Sequence, residues 1–383
     1  MLHVFASKAK GLFLGVLCAF PVLAEATPQF ARTYQVDCSH CHSVPPRLNE
    51  RGLRFVSAGY RLDGRVERSP TIPLAIWNTV DLESRHSQEF SKVFPSRVEL
   101  ISGGPIGQGG AYFAEWRALS QSVAADGRLL NRSGRFEDLY VRLPVSPGGA
   151  LSLTAGQFRT MTQVDVSLRL SLSEPLVFSS SVPGPPATDA RLTSLRAFSA
   201  SGRQPAVRLE YQTGPAQSPD GWFASVTLPL TGEFTIPFTD DASFEFEPRP
   251  KGLFLEAFRR SGLTSFGGHA FVGSERRRLV TAVVTHDLGG RFALLAGVGA
   301  FSASGSTDTR FTAGGEATLS PRIVGGIRVD HRTGQGRDPA VLLYGNGHLP
   351  FGPPSFRQAL RLQIEHRIQP ANHVTGFALS HVF

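Results

Sequence analysis

The chain has 383 residues, 41% of them hydrophobic, and a formal net charge of +8. Three cysteines are too few for a disulfide scaffold, and no apolar run downstream of Leu74 reaches the 18 residues a membrane-spanning helix needs. The basic residues alternate with apolar ones along the chain and do not cluster, which argues against nucleic acid as a partner.

Residues 1–26 read as a secretory signal peptide. Lys8 and Lys10 form the positive start, Gly11 to Val22 a short apolar core, and Ala24-Glu25-Ala26 an A-x-A-like cleavage site. Cys18 lies inside this segment, where the residue before it, Leu17, does not suit lipidation. Cleavage therefore leaves only Cys38 and Cys41.

Cys38-Ser39-His40-Cys41-His42 is a C-x-x-C-H pentapeptide, the attachment pattern of a c-type haem. The two thiols would carry one covalent haem c and the His42 imidazole would be an axial ligand of its iron. C-x-x-C also opens many zinc sites, but zinc needs further thiolates or a spaced histidine pair, and no other cysteine remains. Residues 27–68 form the segment around this motif, and a unit so small rarely buries a sufficient core alone. Within it, Arg47 to Ala58 carries Leu48, Leu53, Phe55 and Val56 at helical spacing, with Gly59 as a stop. The expectation is one short helix beside the haem and a segment that plugs a larger structure.

Residues 69–383 alternate apolar and polar side chains. Leu360, Leu362 and Ile364 oppose Arg361, Gln363 and Glu365; Val207, Leu209 and Tyr211 oppose Arg208 and Glu210; Ile323, Ile327 and Val329 oppose Arg328 and Asp330. A soluble sandwich would turn the apolar faces inward, whereas a transmembrane barrel turns them to lipid. At roughly 20 residues per strand and connection, the region accommodates about 16 strands, and no linker divides it. The expected fold is all-β, an antiparallel transmembrane β-barrel. The 28 phenylalanines suit interfacial girdles, and the last strand, Val374 to Phe383, ends on an aromatic residue as outer-membrane barrels do. The longer breaks are expected at Gly103 to Gly110, Ser179 to Thr188, Gly214 to Gly221, Gly232 to Gly252 and Gly345 to Pro354, with tight turns at Gly148-Gly149 and Gly289-Gly290. An even strand count puts both ends of the barrel wall on the periplasmic side.

Electron-carrying haem iron usually has a second strong ligand, His or Met. Met161 is the only methionine after the signal segment and is the distal candidate, although a lone Met is often a packing residue. His40 is held within the attachment loop. His86, His269, His286, His331, His348, His366, His373 and His381 are alternatives scattered over strands and loops.

Thr27-Pro28-Gln29-Phe30-Ala31-Arg32, the C-x-x-C-H motif, and then Pro46-Arg47-Leu48-Asn49, Gly52, Phe55 and Gly59-Tyr60 resemble the N-terminus of the outer-membrane cytochrome–porin fusions, which include the iron-oxidising outer-membrane cytochromes. The resemblance implies a monohaem segment leading into a barrel of about sixteen strands in the outer membrane of a Gram-negative bacterium. It also implies electron transfer from an extracellular donor such as Fe(II), through the haem, to a periplasmic c-type cytochrome or another soluble acceptor. An Fe(II)-oxidising oxidoreductase is the enzymatic form of that reading. The chain departs from the family pattern at Tyr34 to Asp37 and between His42 and Leu48, which leaves the haem role intact and the donor open. The alternative is a porin-like channel whose haem segment is a structural plug or a redox gate.

Lysine occurs only at Lys8, Lys10, Lys92 and Lys251, so 35 of the 39 basic residues are arginine. Codon usage in a GC-rich genome is the simplest source of this excess. A functional reading pairs inward Arg208, Arg328 and Arg361 with Glu210, Asp330 and Glu365 in a lumen network that holds the plug and meets the haem propionates. The positive charge favours a plugged lumen over a wide channel for cations.

Overall fold

The computed structural model describes residues 29–383 except 45–46, 63–72, 86–89, 124–127, 147–148, 162–171, 179–180, 183–195, 214–219, 235–244, 263, 275, 289–290, 304–305, 334–336, 353–357, 370–371 and 383. The signal peptide, His86, Gly289-Gly290 and Phe383 lie outside the described residues. The described residues open with three short helices, α1 (Gln29–Tyr34), α2 (Cys38–Cys41) and α3 (Glu50–Ser57), with the small pair β1 (His42–Val44) and β2 (Arg47–Leu48) between α2 and α3. The helix expected over Arg47 to Ala58 thus starts later, because the Asn49 side chain caps it by accepting from the Gly52 N–H at 3.0 Å. Gly59 follows at a φ of 67°, a left-handed stop that glycine adopts without strain.

The wall follows: β3 (Leu74–Arg85), β4 (Phe90–Ile106), β5 (Gly110–Val123), the short β6 (Leu129–Asn131), β7 (Arg135–Pro144), β8 (Leu151–Arg159), a hairpin of β9 (Ser181–Val182) and β10 (Phe198–Ser199), β11 (Arg203–Gln212), β12 (Gly221–Glu233) and the short β13 (Glu245–Pro250). It continues through β14 (Gly252–Ser261), β15 (Thr264–Gly273), β16 (Arg278–Leu288), β17 (Phe292–Ala303), β18 (Ser306–Ser320), β19 (Ile323–Arg332), β20 (Arg337–Phe351), β21 (Gln358–Gln369) and β22 (Asn372–Val382). β5 pairs directly with β7 and β12 with β14, so β6 and β13 are side pieces and the closed antiparallel barrel has 16 strands. β22 closes the ring on β3, from Val374↔Arg85 to Val382↔Trp77. Leu74 and Val382 therefore share one end of the barrel, here called the terminal mouth.

The wall is inside-out relative to a soluble protein. On β21, Leu360, Leu362 and Ile364 are 37–52% exposed while Arg361, Gln363 and Glu365 are 6–8% exposed. The same division separates Val207, Leu209 and Tyr211 from Arg208 and Glu210, and Ile323, Ile327 and Val329 from Arg328 and Asp330. An apolar outer belt over a polar lumen is the arrangement that lipid selects.

Two expected breaks are strand in part, with the β4–β5 turn confined to residues 107–109 and β20 running on to Phe351. Gly103 to Ile106 completes β4, paired with Phe113 to Gly110, and Gly345 to Phe351 completes β20, paired with Ile364 to Gln358. Glycine here makes room for rings: a Cβ on Gly103 would lie 2.7 Å from the Phe113 ring. Punctuation by glycine was the wrong rule where an inward aromatic neighbour needs the space.

Between β8 and β11, the described parts of residues 160–202 fold into the lumen. Met161, Val177, Phe178, Val182 and Phe198 pack with inward Phe254, Phe258, Phe271, Leu279 and Phe301 of the wall. Phe198 stacks on Phe271 with ring centroids 3.8 Å apart.

Candidate functional site

In α2 the two cysteines are three residues apart on one helical turn, so both thiols share one face. Neither is in a disulfide; Cys38 is buried and Cys41 partly so. The helix ends at His42, whose backbone is extended (φ −123°, ψ 137°) and whose N–H donates to Cys38 O. Burial, and then the neighbouring Cys38, push the Cys41 thiol above its ordinary value, against the opposing pull of Arg51.

Asn49 binds this turn to α3. Its Nδ2 donates to Ser39 O at 3.2 Å and His40 O at 3.1 Å, and its backbone N–H to Cys41 O at 2.9 Å. Gly52 lets α3 approach, since a Cβ there would lie 2.1 Å from Cys41 O. That atom is backbone and cannot rotate away. Gly52→Ala is therefore expected to displace α2 from α3 and to lower covalent haem loading at least several-fold, read as haem staining per unit of folded barrel. Loading equal to the parent would show that this contact is not needed.

The segment rests on inward side chains of the wall at the terminal mouth. Phe30, Tyr34, Phe55 and Tyr60 form an aromatic cluster, and Phe113 of β5 packs against it. The Tyr34 hydroxyl donates to Tyr60 O at 2.6 Å, and the Tyr60 hydroxyl meets that of Tyr140 of β7 at 2.8 Å. Burial pushes the Tyr60 phenol up to about 12, so it stays protonated and able to donate. The Arg61 guanidinium donates to Gly110 O at 2.8 Å, Gly107 O at 2.6 Å and Ile106 O at 3.2 Å, tying the segment to the β4–β5 turn. Arg142 of β7 donates back to Ser57 O at 3.1 Å.

Met161 is not brought to this site. It lies two residues beyond β8, away from the terminal mouth, and packs with Phe198, Phe254 and Phe271 under the inserted loop. Arg142, which donates to Ser57 O of the N-terminal segment, pairs with Thr154 on β8. Met161 is seven residues farther along, roughly 23 Å of strand at about 3.3 Å per residue.

The lumen carries the expected charge network with one change of partner. Arg208 and Glu210 pair at 3.1 Å and Arg328 and Asp330 at 2.9 Å. Arg361 instead donates to Asn346 Oδ1 at 2.6 Å, since Glu365 lies four residues along the same strand, about 13 Å away at ~3.3 Å per residue, and Glu365 accepts from the Ser173 N–H and hydroxyl of the inserted loop at 3.0 and 2.6 Å. A denser group joins Arg117, Arg135 and Arg203 to Glu99, Glu115, Glu137 and Asp138 on neighbouring strands.

Arg328 is the main anchor of the inserted loop: it donates to Ser173 O at 3.1 Å, Ser173 Oγ at 3.0 Å and Glu174 O at 3.2 Å. Arg328→Ala is expected to release the loop and raise single-channel conductance in planar bilayers about two-fold or more. Unchanged conductance would mean that the loop does not set the lumen's resistance.

No protein-family model matches the chain, and no curated protein matches it. Among solved structures it is similar to an anion-selective porin from Comamonas acidovorans, at 12% identity and a TM-score of 0.49, over 81% of this chain and 98% of that one. It is also similar to the outer-membrane channel DcaP of Acinetobacter baumannii (14% identity, TM-score 0.47, 81% and 96% covered) and to OprB of Pseudomonas putida at low pH (12%, 0.43, 81% and 91%).

Proposed function

We propose that this chain is an outer-membrane haem c protein that passes single electrons between an extracellular donor, Fe(II) in the first instance, and a soluble periplasmic c-type cytochrome. The observation that carries the reading is the pair of thiols, not joined in a disulfide, on one face of α2, followed at once by His42 in a segment seated against the inner wall of a lipid-facing barrel. Cys38 and Cys41 would hold the group through two thioethers, formed by addition of each S–H to a vinyl C=C with no net gain or loss of electrons. His42 would supply a nitrogen to its iron. Asn49 fixes the carbonyls of the attachment turn, and the aromatic cluster shields one side of it from water. Arg97 and Arg361 lie within electrostatic reach of each other in the lumen and suit carboxylates such as propionates. A haem bound there supplies a reversible one-electron couple.

The terminal mouth is the periplasmic one in this reading, since both ends of an even-stranded wall lie there. A second reading has its own support. The loop anchored by Arg328 and Glu365 crosses the lumen of a porin-like barrel, as a channel with a constriction and a plug would have.

The detergent-purified holoprotein, oxidised and mixed with Fe(II), separates the two. Reduction of a c-type haem within seconds supports the conduit. A haem that Fe(II) and other extracellular reductants leave oxidised, together with high single-channel conductance, supports the gated channel and overturns electron transfer.

A further inference from the structure

A haem iron with His42 on one face needs a donor for the other, and Met161 packs elsewhere. Among the described barrel histidines, His286, His331, His366 and His381 lie on the outward register of their strands, with their neighbours Val284, Val329, Ile364 and Leu379 facing out, and His373 is exposed at the far end of β22. Two face the lumen. His269 is already engaged: its Nδ1 meets Thr281 Oγ1 at 2.7 Å, its Nε2 lies 3.4 Å from Glu256, and Phe254 and Phe258 flank the ring.

His348 differs on each count. On β20, Leu342, Tyr344, Asn346 and His348 alternate inward while Leu343 and Leu349 point out, and His348 is 8% exposed. Three residues later the strand ends at the terminal mouth, where the haem segment sits. Its ring nitrogens make no hydrogen bond among the described residues. Its imidazole and that of His42 are within electrostatic reach of one another. A buried, lumen-facing imidazole whose ring makes no hydrogen bond among the described residues, within electrostatic reach of the imidazole that the C-x-x-C-H motif offers to a haem, is an arrangement that an iron between them would complete.

We infer that His348 is the second axial ligand of the iron held by Cys38, Cys41 and His42. This rests on the haem reading above. The bond is a lone pair from the neutral imidazole into the iron, displacing water; no proton or electron is exchanged. A bis-histidine iron has a lower potential than a histidine–methionine one, and a lower potential makes the site a weaker oxidant of Fe(II). The inference therefore deepens the mechanism and restricts it.

The test uses the holoprotein, matured with its covalent haem and purified in detergent, for the parent, His348→Ala, His348→Met, His269→Ala and Met161→Ala. In-gel haem staining is scored first: no covalent haem in the parent would sink the haem reading itself, independently of the ligand. With haem present, the parent is expected to give a low-spin ferric electron paramagnetic resonance signal. His348→Ala is expected to lose most of that signal to a high-spin species and to recover it with added imidazole, which a merely structural defect would not do. His348→Met is expected to stay low-spin, gain a sulfur-to-iron charge-transfer band and shift the midpoint potential upward. His269→Ala and Met161→Ala should match the parent. A parent-like spectrum in both His348 variants, or loss of the low-spin signal in Met161→Ala instead, overturns the assignment; should His348→Ala retain no haem, the methionine variant alone decides.

Discussion

A chain carrying both Cys38→Ala and Cys41→Ala is expected to lose all haem that survives denaturing electrophoresis, while its barrel folds as before. Either thioether alone would retain some covalent haem, so single variants should show reduced loading and the double variant none. His42 coordination would persist only until denaturation. The barrel is expected to be indifferent because the segment's anchors are elsewhere: Arg61 on the β4–β5 turn, Tyr60 on Tyr140, and Arg142 on Ser57. Heat-modifiable migration of the barrel supplies the folding control. Normal covalent haem in the double variant would refute the site.

The second large effect is expected at Arg203. Its guanidinium contacts Asp138 at 2.8 Å, Glu137 at 2.7 Å and Glu115 at 3.5 Å, and all three carboxylates are largely buried. Arg203→Met keeps much of the volume and leaves three carboxylates facing one another with one cation fewer. Breaking a buried pair by removing one partner costs about 3–5 kcal/mol, so the urea midpoint for unfolding from lipid vesicles should fall clearly. Arg203→Lys should fall between, since an ammonium keeps the charge and loses the fork that reaches Asp138 and Glu137 together. Substitution of exposed Arg249 by Met should move the midpoint by no more than about 0.5 kcal/mol. Equal midpoints for Arg203→Met and the parent would mean that the remaining arginines, Arg117 and Arg135, neutralise the group unaided.

The barrel was legible because a two-residue period needs only local sequence. Leu360, Arg361, Leu362 and Gln363 declare two faces, and which face meets lipid followed from strand number and the lack of a dividing linker. The C-x-x-C-H turn was legible for the same reason. What escaped was set by contacts distant in the chain. Gly345 and Gly347 read as a loop, yet they alternate with Asn346 and His348 in a strand whose outward positions are glycine. Reading that alternation through the glycines would have placed His348 in the lumen. Met161 sits just past a well-formed strand, and its sequence context does not show that Phe254 and Phe271, some hundred residues later, enclose it. Strand alternation puts Arg361 and Glu365 on one face but four residues apart, too far to pair, and the partner that Glu365 takes, Ser173, comes from a loop 192 positions earlier.

The seam between β3 and β22 carries a consequence for assembly. There Thr79 and Ser380, 301 positions apart, meet hydroxyl to hydroxyl at 3.1 Å, so this pairing has the longest loop of the whole wall to close and is expected among the last to form. The N-terminal segment is tied to the β4–β5 turn, β5 and β7 on one side of the seam, while His348 belongs to β20 on the other. The iron of a haem already attached through Cys38 and Cys41 would therefore lack its second imidazole until the cylinder shuts, and its change from high to low spin would time that event in a refolding or insertion experiment.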